Sequence, residues 1–202
     1  DGYITFNGAR SFIGDEDITL MPIPEAEVRL MIADAKERDY AVVVCGREEI
    51  GVYNHSKIYE DVFVKGLKVT NIDVHKSIEP MLDKPVLQLT PFFSTEAEEL
   101  IMPAMKHCIS ARWNPLFTDI TLQGGDKGSA LLKLAAYIGI DPSECIAFGD
   151  GGNDMSILRA AGIGVAMGNA NEDVQAVADY VTTSVDEDGI RNAFIHFNII
   201  EE

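Results

Sequence analysis

The sequence predicts an α/β protein in which a parallel sheet with helical crossovers is joined to a separate α+β domain. Three observations carry that reading. From Asp126 onward, apolar runs of strand length alternate with helical patterns in a βαβαβ order, and parallel neighbours need such crossovers. The apolar run 145–149 opens directly into a glycine loop, the kind of junction beyond which ligands gather in parallel sheets. Between Pro22 and Trp113, by contrast, strands and helices follow one another without that rhythm.

The elements follow in order. Residues 3–6 read as a short strand that runs into the turn dipeptide Asn7-Gly8, and residues 10–20 as a hairpin around Gly14-Asp15. Pro22 and Pro24 punctuate the passage to the next segment, with a linker near Met21. Pro24 suits a first helical turn and Glu25 and Glu27 suit the positive end of the dipole, while Val28, Met31, Ile32 and Ala35 fall at helical spacing. Strands are predicted at 40–45 and 51–53, a helical pattern at Ile58, Val62 and Phe63, and a strand at 85–89. Ser94 caps a helix at 95–105, and a strand follows at 108–113. The last stretch holds a helix at 126–138 stopped by Gly139, the strand at 145–149 and a helix at 155–161. A strand at 164–167, a helix at 171–178, a strand at 180–182 and a helix at 190–197 complete it. The division expected is core at 1–21, an α+β domain at 22–112 and core again at 113–202.

Composition sets the outer bounds. With 202 residues, 47% hydrophobic and 24% charged, the chain has ample material for a core. Its net charge of −17 argues against a sequence-independent grip on nucleic acid and against an anionic membrane surface. No apolar run approaches the roughly 20 residues needed to span a bilayer, and the N-terminus lacks a signal-peptide pattern, so a cytoplasmic protein is expected. Cys45, Cys108 and Cys145 are odd in number and set in apolar runs, which suits reduced core thiols. The four histidines show no paired spacing for zinc or a catalytic triad.

The loop Gly149-Asp150-Gly151-Gly152-Asn153-Asp154 is the feature richest in chemistry. Its glycines let the backbone turn tightly beside a ligand, and it supplies two carboxylates and an amide. The spacing after Asp150 does not supply the ligands of an EF-hand calcium loop, and a simple capping turn is the bland rival. Lys127 opens a helix just after Gly124-Gly125-Asp126, where its ammonium could hold a phosphate; taken alone, it reads rather as a solvated lysine. Gly162, Gly164 and Gly168 have the wrong spacing and context for a dinucleotide fingerprint.

Together, Lys127-Gly128, the Gly149 to Asp154 run, Gly162-Ile163-Gly164-Val165-Ala166-Met167-Gly168-Asn169-Ala170, Asp179-Tyr180-Val181-Thr182 and Glu187-Asp188-Gly189-Ile190 resemble the Cof-type branch of the haloacid dehalogenase superfamily. Asp1 to Gly8 looks like the strand and Asn-Gly turn that precede that branch's inserted cap. The resemblance implies a Rossmann-like core with an α+β cap over the active site. It also implies a Mg²⁺-dependent phosphatase of small phosphorylated metabolites, especially sugar phosphates. Carried over, it makes Asp150 the magnesium ligand, with Asp154 in support as a ligand or behind one. Lys127 would bind the phosphoryl group and neutralise the nucleophile, and Asn153 would hydrogen-bond a phosphate oxygen. Where the chain returns from cap to core, Arg112, Trp113 and Asn114 are candidates for selecting the substrate, with a structural Trp packed under a surface Arg as the rival.

The family's Asp-x-Asp nucleophile motif and its following Thr or Ser motif have no counterpart in this sequence. The expectation is therefore a portion of a longer protein, either cropped or paired with its N-terminal segment, lacking the first strands of the core and inactive alone. The intact enzyme would work through an aspartyl phosphate. The alternatives are a non-catalytic phosphometabolite-binding or regulatory protein and a sugar phosphomutase.

Overall fold

β1 (Gly2–Thr5) and β2 (Arg10–Ile13) pair antiparallel, with Gly2 opposite Ile13 and Thr5 opposite Arg10. They are joined by a tight 3₁₀ turn, Phe6–Gly8, in which Phe6 and Asn7 take left-handed φ values of 51° and 52°. β3 (Glu16–Leu20) completes this sheet in the order β1-β2-β3, so the predicted hairpin around Gly14-Asp15 is present. The computed structural model describes residues 1–201. It divides into one unit formed by residues 1–19 together with those from 124 onward, and a second unit of residues 20–123 inserted between them.

The inserted unit begins with α1 (Glu25–Arg38), which buries Val28, Met31, Ile32 and Ala35 as their spacing requires and ends at Asp39 in the left-handed region. Next come β4 (Val42–Gly46), β5 (Ile50–Tyr53) and α2 (Lys57–Tyr59), which runs on into a π-helical segment, Glu60–Gly66. α3 (Glu79–Leu82) leads to β6 (Val86–Pro91). α4 (Thr95–Ile101) is capped by the Ser94 hydroxyl, which accepts from the Ala97 amide at 3.3 Å. β7 (Cys108–Asn114) and β8 (Phe117–Leu122) finish the unit. The five strands run in the order β5-β4-β6-β8-β7 with antiparallel pairs throughout. Val42, Val44, Leu89 and Ile120 of the sheet share one apolar core with Met31, Ala35, Ile101 and Met105.

β8 was not foreseen, and it moves a boundary. The strand lies between β6 and β7, so the expected division at 112/113 falls inside β7 and the unit ends only at Gln123. Its Thr118, Asp119 and Thr121 hide the apolar signal, although all three are buried.

From 124 the chain follows the predicted rhythm. α5 (Lys127–Ile138) starts on Asp126, whose carboxylate accepts from the Ser129 amide at 3.0 Å and the Ser129 hydroxyl at 2.7 Å, and it stops at Gly139 with φ of 74°. Then come β9 (Ile146–Gly149), α6 (Met155–Ala160), β10 (Ile163–Ala166), α7 (Glu172–Gln175), β11 (Tyr180–Val181) and α8 (Gly189–His196). β9, β10 and β11 are parallel neighbours in the order β11-β10-β9, the parallel core sheet the pattern demanded. Ala147, Leu158, Ala166 and Val174 fill the space between this sheet and its helices. α7 is shorter than expected because the chain after Gln175 turns to bring the Asp179 carboxylate within 2.7 Å of the Gly164 amide.

Candidate functional site

The loop after β9 is organised around Asp154. One carboxylate oxygen accepts from the backbone amides of Asp150 (3.1 Å) and Gly151 (3.0 Å), and the other accepts from Lys127 Nζ at 2.5 Å. Gly149 makes this possible, since a Cβ there would stand 2.4 Å from Asp154 Cβ. Burial acts to raise the Asp154 pKa, but the Lys127 ammonium and the two amides outweigh it, and the carboxyl is held below its ordinary value. Lys127 is thus placed by the first turn of α5 as half of a largely buried ion pair, rather than as a freely solvated cation.

Around this pair the structure gathers further polar groups of the same unit. Asp150 is exposed at the end of β9, and its Oδ2 accepts from Asn169 Nδ2 at 3.0 Å. The Asn169 side-chain Oδ1 accepts in turn from the Val185 amide at 3.1 Å, which ties the loop after β10 to the 3₁₀ turn Val185–Glu187. Asn153 donates to the side-chain oxygen of Asn7 at 2.8 Å. Lys127, Asp150, Asn153 and Asp154 are therefore brought together, and Asn7 and Asn169 join them. The sequence reading gave neither of these two a role; the signals present were the Asn-Gly turn for the first and the Gly168-Asn169-Ala170 end of the motif after β10 for the second.

The cluster presents one ammonium, one exposed carboxylate and several amides, a set suited to holding a phosphorylated anion. Among the described residues no three His, Cys, Asp or Glu side chains converge to hold a metal. An exposed carboxylate beside oxygen-bearing amides is instead the donor chemistry of Mg²⁺, which keeps several waters and needs only one or two carboxylates. Of the two loop carboxylates only that of Asp150 is exposed and could offer an oxygen to such an ion, Asp154 being engaged by Lys127 and the loop amides.

The three residues of β7 fare differently. Arg112 donates to Glu98 at 2.6 and 2.7 Å and to the carbonyl oxygens of Phe93, Asn114, Pro115 and Phe117 at 3.2–3.3 Å. Its guanidinium is spent as a clasp between α4 and the β7–β8 turn. The Asn114 side chain accepts from the Leu116 amide at 2.9 Å and shapes that turn. Trp113 alone remains half open to solvent. His55, His107 and His196 pair with Glu60, Glu27 and Tyr180 respectively. Gly164 lies inside β10, where a Cβ would stand 2.2 Å from the Leu158 carbonyl oxygen, so packing accounts for it.

The sequence profile of the haloacid dehalogenase-like hydrolases matches residues 1–194. The chain is 30% identical over 202 residues to YkrA of Bacillus subtilis, an alignment covering 98% of this chain and 76% of that one. Among solved structures it is similar to the subclass IIB sugar phosphatase BT4131, with a TM-score of 0.90, 42% identity and coverage of 99% of this chain and 76% of that one. It is also similar to BT1666 from Bacteroides thetaiotaomicron, with a TM-score of 0.86, 39% identity and coverage of 99% and 75%.

Proposed function

This chain belongs to the haloacid dehalogenase-like hydrolases, in their Cof-type branch, and on that premise we propose that it takes part in the Mg²⁺-dependent hydrolysis of sugar phosphates. The observation that carries the reading is the Lys127–Asp154 pair beside the exposed carboxylate of Asp150. Phosphoryl transfer is catalysed mainly by positioning and by positive charge facing the phosphate oxygens. Lys127 supplies such a charge at a fixed point, because Asp154 is itself anchored by two backbone amides. Asn153, steadied by Asn7, would donate to a phosphate oxygen. Asp150, oriented by Asn169, would hold Mg²⁺. The ion would supply charge stabilisation of the transferring phosphoryl group.

The carboxylate that attacks phosphorus in an aspartyl-phosphate route is not among the groups this cluster supplies. Asp154 is committed to Lys127 and the loop, and Asp150 to the cation. The subclass IIB sugar phosphatase at 42% identity supports a sugar phosphate as substrate. Release of inorganic phosphate from a panel of sugar phosphates by the intact protein, with its aspartyl nucleophile present, measured with and without Mg²⁺, tests the proposal. Asp150→Ala is expected to lower turnover by about a hundredfold or more, and addition of a chelator to abolish it. Unchanged turnover in either case overturns the assignment.

A further inference from the structure

The turn that joins β1 to β2 runs against the conformational preferences of its own residues. Phe6, Asn7 and Gly8 take left-handed φ values of 51°, 52° and 97° in succession. Glycine adopts such values freely and asparagine tolerates them, but a bulky aromatic residue there is an outlier. Local preference does not produce this run, so the surroundings must hold it. Backbone strain of this kind persists where neighbouring structure over-determines it, and it clusters at functional sites.

Two contacts do the holding, both inside the unit that carries the Lys127–Asp154 cluster. Gly8 is buried against the start of α5: a Cβ on it would stand 2.2 Å from the Asp126 carbonyl oxygen and 2.8 Å from the Lys127 nitrogen. One residue earlier, the Asn7 side-chain oxygen accepts from Asn153 Nδ2 at 2.8 Å. The same helix start is also held by α6, since the Gly128 amide donates to the Ser156 hydroxyl at 3.1 Å. Through adjacent residues the turn therefore meets the backbone that presents Lys127 and the side chain of Asn153. A carboxamide on a glycine loop has several rotamers and two N–H donors to aim. Asn7 takes up one of them and so fixes where the other points.

We propose that the Phe6–Gly8 turn is a strained brace that fixes Asn153 and Lys127 relative to one another, with Asn7 a positioning residue that acts through Asn153. That the second N–H of Asn153 meets a phosphate oxygen rests on the phosphatase reading above. Donors held in place before the phosphate arrives need no rearrangement during the reaction, and this is what makes them effective in the transition state.

Asn7→Gly keeps the left-handed turn without steric cost and removes only the acceptor. Its urea unfolding midpoint is expected to be unchanged or raised, while kcat/KM for sugar phosphates, measured on the intact protein, falls about tenfold. Asn7→Ala lacks the acceptor and also bears the left-handed strain, so it should lose the same activity and unfold at lower urea. Equal midpoints in the two variants would overturn the strained brace. Placed on Asn153→Ala, Asn7→Gly should lower kcat/KM by less than about twofold, because residues that act through one another are not additive. A full loss in that background, or an unmoved kcat/KM in Asn7→Gly alone, overturns the positioning role. The side-chain amide signals of Asn153, assigned in ¹⁵N spectra by their loss in Asn153→Ala, give a readout besides turnover. They are expected to shift in Asn7→Gly, and unmoved signals overturn the inference. Failure of the unaltered intact protein to release phosphate from any monoester would overturn the phosphatase reading, while the spectra still judge the coupling of Asn7 to Asn153 separately.

Discussion

Lys127 and Asp154 stand 2.5 Å apart, with the carboxylate side chain only 12% exposed. Removing the ammonium therefore strands a charge rather than merely deleting a contact. Lys127→Met should lower stability by about 1–3 kcal/mol, read from urea unfolding, and cut phosphate release by about a hundredfold or more. The folded-state pKa of Asp154 is depressed, so its contribution is present above the unfolded carboxyl value, about 3.9, and is lost as pH falls through the lower folded value. In Lys127→Met that loss should set in at higher pH, visible in urea midpoints measured from neutral pH downward. An acid limb that does not move would show that Lys127 is not what holds the pKa down. Asp150, Asn153 and Asp154 stood out in the sequence because their motif is local and its glycines have a physical reason, while Lys127, 27 positions from Asp154, was singled out only by the family resemblance. Asn7 was not, since it meets Asn153 across 146 positions of chain.

β7 and β8 show why an element can be visible while its work is not. The strand at 108–113 was legible from its apolar start, but its partner Phe117–Leu122 was hidden by polar residues that face a network formed only after pairing. Arg112 looked like a substrate contact because it sits beside an aromatic near a predicted boundary. With β8 in place that boundary vanishes, and the guanidinium joins Glu98 to four main-chain carbonyls. Arg112→Ala should destabilise the protein by about 2–3 kcal/mol, measured by thermal or urea unfolding. It should also leave the ranking of substrates by kcat/KM unchanged, and a re-ordered ranking would restore Arg112 to the binding surface.

At the scale of the whole molecule each unit holds an apolar core of its own, and the thiols differ in how deeply they are buried. Cys45 and Cys108 are buried within the inserted unit, whereas Cys145, at the entry to β9, is partly exposed. Burial, then the nearby Asp119 charge, pushes the Cys45 thiol up to about 12, and burial with the Glu27 carboxylate raises that of Cys108. A thiol reagent at neutral pH should label Cys145 rapidly and the other two only after denaturant is added; fast labelling of all three would contradict the packing. Among the described residues no helix is long and apolar enough to cross a membrane, in keeping with the absence of long apolar runs in the sequence.

The parallel βαβαβ run, the interposed α+β segment and the loop residues Asp150, Asn153 and Asp154 could be picked out from the order of amino acids, because each depends on spacing within a few turns of chain, whereas Lys127 was singled out by the family resemblance. Three matters waited for the folded molecule: the partner of Lys127, the membership of residues 113–123, and the duty of Arg112. They depend on which distant groups share a low-dielectric space or a strand edge. That is a property of pairing and burial, and local spacing carries no record of it.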